Sequence, residues 1–186
     1  MKFSLFLFLV FITACANAQD SMKAWDSSDL LTWSDFKGPA DGSSKLAAFS
    51  VLGAQMRYSQ KQVSGVYSFT FEVVCVMSKN QSWSKKERQT PQLLKHEQTH
   101  FDIAEFFARK LIITLNEHKF TNNFKNEITE IQKQEYKDRM AMQVVYDNQT
   151  NHSINKEMQQ KWEAYVADLL NANYTLEEAL QKMPVI

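Results

Sequence analysis

His96-Glu97-Gln98-Thr99-His100 combines two imidazoles and a carboxylate at a spacing that has a mechanical meaning on a helix. At about 100° per residue, positions four apart lie about 40° from one another and one turn along the same face. Both imidazoles then reach a single Zn²⁺ at about 2.0–2.1 Å. Glu97 sits beside that face, where its carboxylate takes the proton of a water activated by the ion and hands it to a leaving group. The chemistry is zinc-assisted hydrolysis with Glu97 as general base. Two histidines can share a helix by accident. A capped, uninterrupted and largely apolar helix preceded by a strand region is the context that argues against accident.

A catalytic zinc takes a third protein ligand and keeps one position open. Asp102 and Glu105 are close in sequence but point about 120° and 180° away from the His96 direction. His118 lies about five turns beyond His100. The third ligand therefore comes from a later segment. Glu127 and Glu130 stand on a second helix, where charged residues ordinarily form the solvated face. The alternative is the polar stretch Tyr146-Asp147-Asn148-Gln149-Thr150-Asn151-His152, read as a turn between helices, from which His152 or Asp147 can swing in. His152 is favoured. Tyr146 offers a hydroxyl that can donate to a developing oxyanion, and Asp147 can orient a liganding histidine through its free ring N–H.

The elements that must position these groups are strands first and helices after, an α+β arrangement in which a small N-terminal sheet packs on a helical half. Residues 19–45 form an extended lead-in with Trp25, Trp33 and Phe36 as anchors. Ala47–Tyr58 reads as a strand interrupted at Gly53. In Val63–Ser78, apolar residues from Tyr67 to Met77 recur at every second position, the period of one strand face. Val74 and Val76 predict burial on both faces toward its end, and an edge of this strand is a candidate for pairing with an extended peptide. Ser84-Lys85-Lys86-Glu87 has the spacing of a capping box, and Thr90-Pro91 supplies an N-cap followed by proline at the first helical position. The central helix runs from there to about His118, a second from Phe124 to about Val145, and a third from Ser153 to Ala172. A short last helix starts at Thr175. Trp33, Trp83 and Trp162 are expected as core anchors.

The chain has 186 residues, enough for one domain with a real core, and equal numbers of acidic and basic residues. That balance speaks against a nucleic-acid partner. Residues 1–18 read as a signal peptide. Lys2 is its positive end, Phe3–Ala14 its apolar run, and Ala16-Asn17-Ala18 its cleavage site before Gln19. The run is shorter than the roughly 20 residues that span a bilayer. Ile12-Thr13-Ala14-Cys15 is a competing lipobox, which would place a lipid anchor on Cys15. On either reading the domain, residues 19–186, is exported. Cleavage before Gln19 leaves Cys75 without a disulfide partner, as a buried structural cysteine.

Leu31-Thr32-Trp33-Ser34-Asp35-Phe36-Lys37-Gly38, Ser82-Trp83, the run from Leu94 to Glu105, Ala108-Arg109 and Tyr146-Asp147-x-x-Thr150-x-His152 resemble a bacterial domain-of-unknown-function family described as predicted secreted zinc-dependent proteases. The resemblance covers nearly all of the chain after residue 18. It implies a zincin-like fold, a peptide or protein substrate, and a histidine at the place of His152, which ranks His152 above Glu127 and Glu130. Ser153 stands where the family pattern usually continues into glycine. Two other functions stay in view: a cell-envelope module that holds zinc without catalysis, and a zinc amidase acting on cell-wall material.

Overall fold

The computed structural model describes residues 21–64, 66–172 and 174–184. The expected signal peptide, its expected cleavage site and Cys15 lie outside the described residues. The fold is α+β. Among the described residues five strands come first: β1 (Met22–Ala24), β2 (Ala48–Phe49), β3 (Leu52–Val63), β4 (Val66–Ser78) and β5 (Trp83–Ser84). Four α-helices follow: α1 (Pro91–Glu117), α2 (Phe124–Thr150), α3 (Lys156–Asn171) and α4 (Leu176–Gln181). Among the described residues, no helix is long and apolar enough to cross a membrane.

β3 and β4 form a long antiparallel hairpin with Val63 opposite Val66, and β1 joins the far edge of β4 opposite Val76–Ser78. The single strand expected over 63–78 is thus the second arm of a hairpin, with Ser64 at φ 51° in the reversal. On β4, Phe71, Cys75 and Met77 are buried on one face while Ser68, Thr70 and Glu72 are exposed on the other. Burial becomes two-sided only at Val76, because Val74 remains exposed. The break expected at Gly53 falls earlier, at Ser50-Val51, where the chain leaves β5 as its partner and joins β4. Val51 marks the switch: its N–H donates to Ser82 Oγ and its carbonyl accepts from Ser78.

α1 is apolar on most sides because it lies between two layers. Leu93, Phe101, Ala104 and Ala108 pack with Cys75 and Met77 of the sheet. Ile103, Phe106 and Phe107 pack with Met142, Tyr146, Trp162 and Val166 of α2 and α3. Thr90 caps the helix, its hydroxyl accepting from the Leu93 N–H, and Pro91 occupies the first turn, where its missing N–H is not needed. The capping box expected at Ser84–Glu87 does not form. Ser84 belongs to β5, and the Lys86–Arg88 turn that follows has Lys85 at its cap. Trp162 is a core anchor as expected, whereas Trp33 and Trp83 are half-buried against Phe36 and Phe49.

Candidate metal centre

α1 puts His96 and His100 on one face, one turn apart, directed at α2. Their Nε2 atoms are 3.1 Å from each other, and each is 3.1 Å from Asp147 Oδ1. These three residues are the group able to hold a metal among those described. Asp147 reaches them because α2 does not stop at Val145. It continues to Thr150, so Asp147 stands one turn past Gln143 on the face that meets α1. Of the stretch read as a turn, Tyr146–Thr150 is the last part of this helix, and Asn151 and His152 form the turn beyond it. Thr150 is buried with its hydroxyl donating to the Tyr146 carbonyl, and Gln149 accepts from Trp162 Nε1 at 2.7 Å.

Two buried glutamines settle which nitrogens face inward. Gln159 Nε2 donates to Glu163 and Gln143 Nε2 donates to the His100 carbonyl, which leaves each amide oxygen as an acceptor. His96 Nδ1–H donates to Gln159 Oε1 (3.0 Å), and His100 Nδ1–H donates to Gln143 Oε1. In the neutral rings both Nε2 lone pairs therefore point at Asp147 Oδ1 and at one another. Three acceptors at such distances repel unless a cation lies among them.

Zinc fits this triangle. A tetrahedral ion with bonds of about 2.0–2.1 Å would need ligand atoms about 3.3 Å apart, close to the 3.1 Å found among these three. Two imidazoles and a carboxylate are a zinc donor set. The electrostatics agree. Burial opposes charge on His100, but the hydrogen bond and charge of Asp147 outweigh it and raise its pKa. Burial would also raise Asp147, yet hydrogen bonds from His100 and His96 hold its carboxyl well below the usual range. Both shifts favour a positive charge on the imidazole beside a negative Asp147.

The other sequence candidates are distributed as follows. Glu97 is buried beside His96, and Ser50 Oγ donates to its Oε2 at 2.5 Å. His152 is half-exposed and outside the triangle, but its Nδ1 is 3.2 Å from the same Asp147 oxygen. It sits in a run of positive φ angles: Asn151 47°, His152 49° and Ser153 76°. Tyr146 is fully buried. Its ring stacks on His96 with centroids 4.6 Å apart, and its hydroxyl donates to Gln159 Oε1 at 3.0 Å. Asp102 points to the far side, accepting from Trp25 and Gln98, and Glu105 pairs with Arg109. Glu127 accepts from Thr121 and His118, and Glu130 pairs with Lys133. Both glutamates lie on α2 about 25–30 Å from Asp147 along its axis.

Gln143 and Gln159 were not legible as site residues. The signal for Gln143 is its place four residues before Asp147, in a polar stripe Glu135-Arg139-Gln143-Asp147 at helical spacing. Nothing local marks Gln159.

A cleft of about 710 Å³ opens over the cluster. Its floor is α1 at Leu93, His96, Glu97 and His100; one wall is residues 45–52, and the other is α2 from Tyr136 to Asp147. The strand segment beside the site is therefore the one around β2. β4 is the middle strand of its sheet, with β3 along its whole length. A second hollow of about 640 Å³ near Phe120 and His118 contains none of the cluster residues.

No curated protein and no solved structure matches this chain. A family model described as a bacterial protein of unknown function, DUF922, matches residues 21–153, a span that runs from β1 through α1 and α2 to Asp147, His152 and Ser153. The chain belongs to the DUF922 family of bacterial proteins of unknown function.

Proposed function

We propose that this chain is an exported zinc-dependent hydrolase, a small metallopeptidase of zincin-like fold, with His96 Nε2, His100 Nε2 and Asp147 Oδ1 as ligands. The observation that carries the reading is the triangle of three acceptors, with both imidazoles locked by glutamine amides so that their lone pairs converge. Zinc held there supplies Lewis acidity, polarising a carbonyl and lowering the pKa of water to about 7. Glu97 has Oε2 tethered by Ser50, which leaves Oε1 to accept the proton of the attacking water and return it to the departing amine. Asp147 anchors the ion from α2, and Gln143 and Gln159 hold the two imidazoles in the ligating tautomer.

The test is metal content and hydrolysis of an unstructured protein, measured together. Wild type should hold about one zinc per chain. His100→Ala and Asp147→Ala should lose it. Glu97→Gln should keep zinc while kcat drops by about 10²–10⁴-fold. A folded wild type that takes up no zinc when zinc is offered would sink the proposal.

One observation favours a second reading, a non-catalytic envelope module. His152 Nδ1 is 3.2 Å from Asp147 Oδ1, so a modest turn of its ring would make it a fourth ligand and close the site. His152→Ala separates the two. Zinc kept at wild-type affinity supports the open three-ligand site; zinc lost supports the closed one.

A further inference from the structure

The walls of the cleft say what kind of molecule lies over the cluster. Phe49 on β2, Tyr136 and Met140 on α2, and Ile154 beyond the helix all line it, and they are 46%, 57%, 38% and 70% exposed. Side chains of this size left in water on both banks of one groove mark a surface that apolar groups cover. A glycan would instead need a dense array of donors and acceptors there.

The charges add direction. Apart from Glu97 and Asp147 at the cluster, the charged side chains of the cleft are Lys45, Arg88 and Arg139. Arg139 is held by Glu135. Lys45 and Arg88 have no ion-pair partner among the described residues, and Arg88 Nη1 donates only to the neutral Lys45 carbonyl. They sit together, Arg88 bonded to the backbone of Lys45 where the strand wall of residues 45–52 begins.

We infer that the substrate is an extended polypeptide stretch with apolar side chains on either side of the cleaved bond and an acidic residue toward Lys45 and Arg88. This rests on the hydrolase reading above. The strand wall suits such a substrate, because an extended chain can lie along it while Phe49, Met140 and Ile154 receive its side chains.

Quenched fluorescent peptides test the inference with zinc-loaded wild type. One set has Leu and Phe around the centre, a matched set has Ser there, and each is made with Glu or with Lys at its ends. The apolar set should be cleaved with kcat/KM about 10-fold or more above the Ser set, the range that a hydrophobic contact supplies. Phe49→Ser and Met140→Ser, at unchanged zinc content, should shrink that ratio several-fold. Arg88→Ala should erase the preference for Glu-ended over Lys-ended peptides. Equal cleavage of the apolar and Ser sets, no preference between ends, or turnover confined to cell-wall fragments would overturn the inference and leave the hydrolase reading standing. A zinc-loaded wild type that cleaves none of these substrates would overturn both.

Discussion

Gln143 and Gln159 matter because each amide has its two ends fixed by different partners. The NH₂ of Gln159 is taken by Glu163 and that of Gln143 by the His100 carbonyl, so neither amide can flip without breaking two hydrogen bonds. Replacing either by Leu keeps the volume and removes the acceptor that sets its histidine's tautomer. We expect zinc affinity to fall about 10–100-fold, as for other partners of metal-bound imidazole, read by competition with a chromophoric chelator. Tyr146 belongs to the same layer. Its hydroxyl is buried against Gln159, and burial pushes the phenol far above its ordinary pKa, so it stays a protonated donor. Tyr146→Phe should therefore cost about 1 kcal/mol of stability and a few-fold in zinc affinity, with kcat changed little. A donor to the oxyanion would instead cost about 10²–10³ in kcat, so the kcat of the zinc-saturated variant decides between the two roles.

The helix of His96 and His100 was readable almost to the residue, because its cap, its proline and its apolar circumference are local signals. The end of α2 was not. Asp, Asn, Gln, Thr and Asn in succession resemble a turn when their partners are unknown, yet two of these polar residues meet other helices and a third is satisfied within its own. Asp147 meets the histidines, Gln149 meets Trp162, and Thr150 bonds back to Tyr146. That earlier end is why His152 ranked above Asp147 in the sequence: a residue in a loop can swing, whereas Asp147 meets the histidines because the helix carries it inward. The β3–β4 reversal was missed because the alternation of β3 (Leu52, Ala54, Met56, Tyr58) ends at Tyr58, and the polar, exposed run from Ser59 to Gln62 gives no sign that the strand continues to Val63. What does stop α2 is Asn151, in the left-handed region that asparagine tolerates. Ser153 has φ 76°, a conformation that glycine adopts without the steric cost a Cβ brings. Ser153→Gly should raise stability by about 0.5–1 kcal/mol, measured by urea denaturation of the zinc-free chain. A loss of similar size would mean that the left-handed run is not strained.

Across the whole molecule, the cluster ties three helices together: α1 through its histidines, α2 through Asp147 and Gln143, and α3 through Gln159. Cys75 is free and buried, so no disulfide involving it shares the task. Zinc at about a thousand times its Kd should add about 4 kcal/mol, which for a chain of this size is about 8–16 °C in Tm. His100→Ala should abolish the shift. The response to pH has opposite signs with and without the ion. Without it, the raised pKa of His100 contributes stability that is full below the ordinary value of about 6.5 and is lost as pH rises through the higher folded value. The depressed Asp147 contributes stability that holds above about pH 4 and disappears only in acid. The ion-free chain should thus melt higher at pH 6 than at pH 8. Zinc needs both imidazoles neutral, so protons compete with it and the loaded chain should lose stability over the same descent. The gap in Tm between zinc-loaded and chelated protein should widen steadily from pH 6 to pH 8, as thermal melts at a few pH values would record. A gap that stays constant would mean that the ion does not replace the proton between His100 and Asp147, and the triangle would lose its claim to be the metal site.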